Sequence, residues 1–283
     1  MQMKQALAAT ANASYPWRPT AALLLSMLLH GAAVAIVVMH PALWPWALGA
    51  VAGNHLLLTA AVLWPRGRVL GPNLLRLPAA AAARNEVSLT FDDGPDPEIT
   101  PRVLDLLDRY QAKASFFCVG EEAEACPHIV REIARRGHSV ENHSHCHPHA
   151  FAFYGPWRLK REVQAAQAAI TGITGRAPQF FRAPAGFRSP FLDPVLARLG
   201  LRYVSWTRRG YDTVDGDVER VLGRLTRGLA AGNVLLLHDR ARQRTAGGEP
   251  VVLAVLAALL QRLSAAGLNS VSLPAACGRG PEA

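Results

Sequence analysis

From residue 86 onward the chain repeats one alternation, and that alternation restricts the fold more than any other feature. Short β-rich runs recur at VSLTF (87–91), ASFFCV (114–119), HSVEN (138–142), QFFRA (179–183), RYVSW (202–206), NVLLL (233–237) and NSVSL (269–273). Stretches of helical period lie between them. PRVLDLLDRY places Val103, Leu104, Leu107 and Tyr110 on one face, and DVERVLGRLTRGL does so with Val218, Val221, Leu222, Leu225 and Leu229. Gly137, Gly200, Gly232 and Gly267 close helices just before a run. Seven strands alternating with helices predict an α/β fold with a parallel sheet, closed or nearly closed into a barrel. In such a fold chemistry gathers at the C-terminal ends of the strands, so the reactive residues should come just after the runs.

The segment before residue 86 is different in kind. Half of the 283 residues are hydrophobic and 18% are charged, which asks for a membrane segment. Residues 20–39 and 42–64 supply two candidates, each long enough to cross the ~30 Å hydrocarbon core at 1.5 Å per residue. The second is the weaker, since it contains Pro45, Asn54 and His55, although Trp44, Trp46 and Trp64 sit near its ends as interfacial aromatics do. A single span with an interfacial helix, or a cleaved signal peptide, are the competing readings. The first run is too long for a signal peptide, and HPALWPW comes directly after it. His30 and His55 read as tolerated polar residues or helix–helix contacts rather than a functional pair.

Charge respects the same division. Residues 1–84 hold Lys4, Arg18, Arg66, Arg68, Arg76 and Arg84 with no acid, whereas the rest carries 24 bases and 21 acids. Six of the nine net positive charges are therefore gathered around the apolar segment. It is no nucleic-acid stripe with interleaved aromatics, so no nucleic-acid partner is expected and a membrane surface is the anionic partner. Because the connection around His40-Pro41 carries no Lys or Arg, the positive-inside rule places both chain ends in the cytoplasm. Residues 1–65 then form a tail and transmembrane hairpin in a bacterial-type inner membrane, residues 66–84 a juxtamembrane linker, and residues 85–283 a globular domain on the cytoplasmic side. The four cysteines form no CxxC pair and suit a reducing compartment.

The runs do deliver polar residues at one end. Asp92-Asp93-Gly94-Pro95 comes after the first, HSHCHPH (143–149) after the third, Arg182-Ala183-Pro184-Ala185-Gly186 after the fourth, TRRGYDT (207–213) after the fifth and His238-Asp239 after the sixth. Singly these are weak signals. An Asp-Asp-Gly-Pro turn is usually a turn, a strand-end histidine is usually a satisfied core residue, and Arg182 would most simply be an ion-pair partner. Cys146 among the histidines reads as a bystander. Together they are more specific. Two histidines four apart and one carboxylate from the Asp-Asp turn make a facial metal set, which leaves the second carboxylate free to act as a base on water.

In their order, TFDDGP (90–95), NHSHCHP (142–148), RAPAG (182–186) and LLLHD (235–239) resemble the polysaccharide deacetylase family, carbohydrate esterase family 4, over about residues 86–275. The resemblance implies a distorted (β/α)7 barrel and one divalent ion, zinc first, with cobalt, nickel or manganese as alternatives. It implies Asp92 as general base, and Asp93, His143 and His147 as metal ligands, with His145 and His149 outside the set. Arg182 would orient the base, Leu236 would wall the acyl methyl, and His238 would be the general acid. The family often has a tyrosine whose N–H helps hold the oxyanion; here that position is Ala185, which keeps the backbone donor. The family's Asp-Trp pair is missing from WTRRGYDT, so Asp212 is the candidate partner of His238, and Trp206 or Tyr211 the candidate aromatic wall. The reading is a membrane-tethered, metal-dependent N-deacetylase acting on an acylated aminosugar glycan or a lipid-linked sugar. The alternative is a sugar- or metal-binding module that kept the fold. Phe151, Phe153, Tyr154 and Trp157 could line a groove, touch the bilayer or pack beneath the histidine loop.

Overall fold

The computed structural model describes residues 14–240 and 243–278; Lys4, used above for the membrane orientation, lies outside them. Two 19-residue helices come first, α1 (Ala21–Met39) and α2 (Trp44–Val62). Thr20 caps α1 by accepting from the Leu23 N–H. The pair is long and apolar enough to cross a membrane. It leaves Leu25, Leu28, Val38, Leu56 and Leu57 exposed, as lipid-facing side chains would be. Its polar residues turn inward to one another: Asn54 Nδ2 donates to Ser26 Oγ at 2.9 Å, and the His30 and His55 Nε2 atoms lie 3.3 Å apart. Those histidines are thus a helix–helix contact.

Beyond the pair the expected alternation begins. Helices α3 (Ala79–Ala83), α4 (Ile99–Arg109), α5 (Gly120–Ala125), α6 (Pro127–Arg135), α7 (Pro156–Thr174), α8 (Leu192–Arg198), α9 (Val218–Thr226), α10 (Val251–Ala265) and α11 (Leu273–Gly278) interleave with eight strands. These are β1 (Glu86–Asp92), β2 (Ala114–Cys118), β3 (Ser139–Asn142), β4 (Phe180–Phe181), β5 (Arg202–Tyr203), β6 (Arg208–Arg209), β7 (Val234–His238) and β8 (Asn269–Ser270). All pair in parallel, in the order β5-β4-β3-β2-β1-β7-β6, with β8 beside β1. Three details differ from expectation. The run at 202–206 breaks after Tyr203, and β6 forms at Arg208–Arg209, where the sequence carries no β signal. Tyr110 falls just past the end of α4 and is 37% exposed, so it leaves the apolar face that Val103, Leu104 and Leu107 keep.

Strand alternation divides the molecule into an outer core and an inner lining. Val87, Leu89 and Phe91 of β1 join Phe116, Leu235 and Leu237 against Val103, Leu107, Val221 and Leu256 of the helices. The residues between them face the barrel interior: Thr90 and Asp92 both touch Arg182 there. The bottom of the interior is stopped by Phe117, Phe180, Val204 and Val234 with Leu77, Leu273 and Ala276.

β5 and β6 lie in one extended stretch that serves two neighbours in succession. Its first half bonds to β4 and its second half to β7. The seam between them is filled by the segment after α2. Leu74 N–H donates to Tyr203 O, Ser205 N–H to Leu74 O, and Leu77 N–H to Gly232 O. Residues 74–77 are thus a strap in the barrel wall, although the sequence reads there as linker.

Candidate active site

Candidate site residues named from the sequence sit where strands run out. Asp92 ends β1, His143 lies just past β3, Arg182 just past β4, and His238 ends β7. Register puts them level: Asp92 pairs with His238 across β1–β7, and Asn142 with Phe181 across β3–β4. Local backbone strain gathers at the same end. Asp93, Ser144, His147, Ala185 and Tyr211 all have positive φ, five of the seven non-glycine residues so placed among those described. Each such residue costs on the order of 1–3 kcal/mol, which the surrounding structure must impose.

Asp93 Oδ1 lies 3.3 Å from His143 Nε2 and 3.2 Å from His147 Nε2. The three ligand atoms all fall within 4.8 Å of one another, a spacing that one ion can span. His143 Nδ1 is 2.9 Å from Arg182 O, and a carbonyl can only accept. The proton is therefore on Nδ1, and Nε2 offers its lone pair to the set when the ring is neutral. The loop around it is tied down, with Ser144 N–H on Asn142 Oδ1 and the His145 and Cys146 N–H groups on Glu162 Oε2. His149 is exposed, and Cys146 donates its thiol to Glu121. The donor set of one carboxylate and two imidazoles fits a divalent ion of the zinc or cobalt kind.

These groups also act on one another electrostatically. Burial pushes the Asp93 carboxyl up, but the hydrogen bond and charge of His143, with His238 and His147 nearby, hold it below the usual carboxylate range. Burial pushes His143 down, and Asp92 and Asp93 outweigh this and raise it. His147 is lowered to about 4 by burial and by the charge of His143. His143 must lose its Nε2 proton to ligate, so ion occupancy is expected to rise with pH. With the ion-free pKa raised, loss on acidification begins above the ordinary value of 6.5 rather than below it. Equilibrium dialysis against zinc between pH 5 and pH 8, as a rough range bracketing histidine titration, checks this; occupancy flat across that range would contradict it.

Asp92 is held apart from that set. Arg182 Nη1 donates to Asp92 Oδ1 at 2.6 Å and to Thr90 Oγ1 at 3.0 Å, and Nη2 donates to Ser205 O at 2.8 Å. The guanidinium is fully buried and lies 4.1 Å from the centroid of the Phe117 ring. Level with Asp92 on the neighbouring strand stands His238, whose Nδ1 donates to Asp212 Oδ1 at 2.9 Å, while its backbone N–H donates to Asp212 Oδ2 at 2.8 Å. Burial lowers His238, and the charge and hydrogen bond of Asp212 outweigh this and raise it. Leu236, one inward step below His238, is buried, and so is Trp206. Ala185 is exposed in a left-handed turn, and Tyr211 is half exposed.

One residue escaped the sequence reading. Asp239 is buried, accepts from Thr100 Oγ1 at 2.6 Å, and is pushed up to about 7 by burial. It lies directly beneath Gly94, where a Cβ would run into its carboxylate, so it supports the Asp-Asp-Gly turn from behind. Its place beside His238 in LLLHD was the available signal.

A buried carboxylate held by an arginine and a buried imidazole held by a carboxylate, beside a three-ligand set at the mouth of an α/β barrel, suit a hydrolase that attacks an acyl group with water. A sequence model of the polysaccharide deacetylase family matches residues 79–204. A chitooligosaccharide deacetylase of Azorhizobium caulinodans is 33% identical over 205 residues, covering 69% of this chain and 97% of that protein. The crystal structure of the Bc1960 peptidoglycan N-acetylglucosamine deacetylase superposes with a TM-score of 0.66 at 27% identity, covering 75% of this chain and 95% of that one. A family 4 acetyl xylan esterase from Clostridium thermocellum, solved with cobalt, does so with a TM-score of 0.60 at 30% identity, covering 68% and 89%. The chain belongs to the polysaccharide deacetylase family, carbohydrate esterase family 4, and is a carbohydrate deacetylase.

Proposed function

We propose that the protein is a metal-dependent N-deacetylase of an acylated aminosugar, tethered to a membrane by α1 and α2. One observation carries the reading: a complete base, Asp92 on Arg182, and a complete acid, His238 on Asp212, flank the Asp93–His143–His147 set. A module that only binds sugar or metal has no need of both. An ion held by Asp93, His143 and His147, zinc first, would supply Lewis acidity toward the acyl oxygen and a more acidic water. Asp92 takes the proton from the attacking water, with Arg182 fixing the direction of its free oxygen. The Ala185 N–H would hold the developing oxyanion, as a backbone donor. His238 Nε2 gives a proton to the departing nitrogen, which leaves poorly without one. Leu236 and Trp206 wall the interior side, and half-exposed Tyr211 stands at the rim.

Relatives named for chitooligosaccharide and for peptidoglycan N-acetylglucosamine support an N-acetyl substrate, whereas the acetyl xylan esterase raises an ester. The full chain loaded with zinc is expected to release acetate and free amine from N-acetylglucosamine oligomers. Release from acetylated xylan alone would overturn the N-deacetylase reading.

Asp212 supplies the second test. Because it raises His238, Asp212→Asn should lower that pKa and leave the acid deprotonated at lower pH. The alkaline limb of the rate profile is then expected to move to lower pH, with zinc content unchanged. An unmoved limb would remove Asp212 from its role.

Arg18 before α1, and Arg66, Arg68 and Arg76 after α2, support a cytoplasmic barrel. A C-terminal reporter fluorescent only in the cytoplasm should light, and one active only outside should stay silent; the reverse would overturn the orientation.

A further inference from the structure

A cavity of about 630 Å³ opens beside the reaction centre. It is lined by Ala60, Leu63 and Trp64 at the end of α2, by Trp206 and Tyr211, and by five arginines: Arg66, Arg208, Arg209, Arg224 and Arg227. Among the described residues no carboxylate lines it. Arg224 is neutralised by Asp215 at 2.8 Å. The others have no acidic partner among the described residues. Arg66 reaches only the Thr207 carbonyl at 3.4 Å, and Arg209 lies over the Trp206 and Tyr211 rings. The Nε atoms of Arg208 and Arg209 are buried and donate to nothing. Four uncompensated guanidinium groups around one concavity repel one another, and buried donors without acceptors are costly. A structure keeps such an arrangement where an anion with several acceptor oxygens completes it, and a phosphate meets the guanidinium fork best.

The position of the cavity says which phosphate. Its rim includes the exit of a membrane-spanning helix, with Trp64 at the level where interfacial tryptophans sit. The loops that carry the chemistry face the hairpin as well. Ala152 and Phe187, from the loops after β3 and β4, pack with Leu23 and Val62. Phe153 and Trp157 beside them are 78% and 82% exposed, and Arg188 N–H donates to Val62 O. The catalytic end of the barrel is therefore turned toward the membrane. Cavity and reaction centre also share a wall: Trp206 stands 6.0 Å from the Arg182 guanidinium, and Tyr211 precedes Asp212.

We infer that this arginine cavity binds the phosphate or diphosphate of a lipid held in the adjacent leaflet, so that the acylated aminosugar is presented on a lipid phosphate. The inference rests on the deacetylase reading but is tested apart from it. The full chain in detergent micelles is titrated with three probes: a polyprenyl phosphate, inorganic pyrophosphate and phosphatidylcholine. Polyprenyl phosphate is expected to bind about tenfold or more tightly than either of the others, as charge-assisted contacts plus an apolar tail require. Arg208→Gln with Arg227→Gln should abolish that preference. Arg66→Gln, at an exposed position, should weaken it on its own and serves if the double variant does not fold. Both variants should still deacetylate a soluble N-acetylglucosamine oligomer, which separates failure of this inference from failure of the activity. Pyrophosphate binding as tightly as the lipid would assign the cavity to a soluble phosphate and overturn the lipid. Equal binding of phosphatidylcholine, or variants that bind like the parent, would overturn the site altogether.

Discussion

Asp92→Asn is expected to lower deacetylation by about 10²–10⁴-fold, the usual contribution of a positioned general base, while the protein keeps its ion. The separation comes from geometry. Asp92 reaches no closer than 3.9 Å to His143 Nε2, whereas Asp93 Oδ1 lies within 3.3 Å of both histidines. Asparagine preserves the shape and can still meet Arg182 with its amide oxygen, but it cannot take a proton from water. Acetate release and metal content, measured on the same preparation, decide the matter. Loss of both together would make Asp92 a ligand rather than a base. Unchanged release would remove it from the chemistry. Asp93→Asn should do the opposite and lose the ion first.

The second large effect is on stability. Arg182 is wholly buried, and its guanidinium bonds to Asp92, Thr90 and the Ser205 carbonyl beneath the site. Arg182→Met fills similar volume but strands the Asp92 carboxylate, itself 4% exposed, without its charge partner. Breaking a buried pair from one side costs about 3–5 kcal/mol, because the remaining charge stays desolvated. The unfolding temperature should therefore drop sharply. Combining Arg182→Met with Asp92→Asn should restore part of the loss, since the stranded charge is gone. A double variant as unstable as the single one would place the cost in packing against Phe117 instead.

Much of this site could be read from the chain because a barrel turns the residues just past each strand toward its mouth. TFDD, ENH, FFR and LLLH each end a strand there, so the reactive residues declared themselves in one dimension. Asp212 could be named as the partner of His238 only through the family resemblance, as the stand-in for a missing Asp-Trp pair, because the β6–β7 pairing that brings it to His238 has no signal in the sequence. The hidden remainder depends on contacts that local pattern does not encode. Asp239 looks like any turn aspartate until Thr100 and Gly94 close over it. Arg208-Arg209 has no β character, and becomes a strand only because β7 offers an open edge. GPNLLRLP is too short and too proline-bounded to announce a place in the wall. The aromatic stretch at 151–157 divides: Phe151 and Tyr154 are core, while Phe153 and Trp157 point outward near the hairpin. A pattern of four aromatics cannot tell those fates apart.

The strap at residues 74–77 has a mechanical meaning. α2 ends at Val62, and by Leu74 the chain is already hydrogen-bonded into the barrel at Tyr203, with Leu77 on Gly232 soon after. Asn73 ties the intervening turn to the Pro65 and Gly67 carbonyls. No slack remains between the helical pair and the barrel. An enzyme on a long leash can sample a thick polymer layer; with α1 and α2 in a bilayer, this one would work at a single elevation, set by its own wall. Altitude would then screen substrates before chemistry does, admitting sugars that ride at the surface and passing over those held farther out.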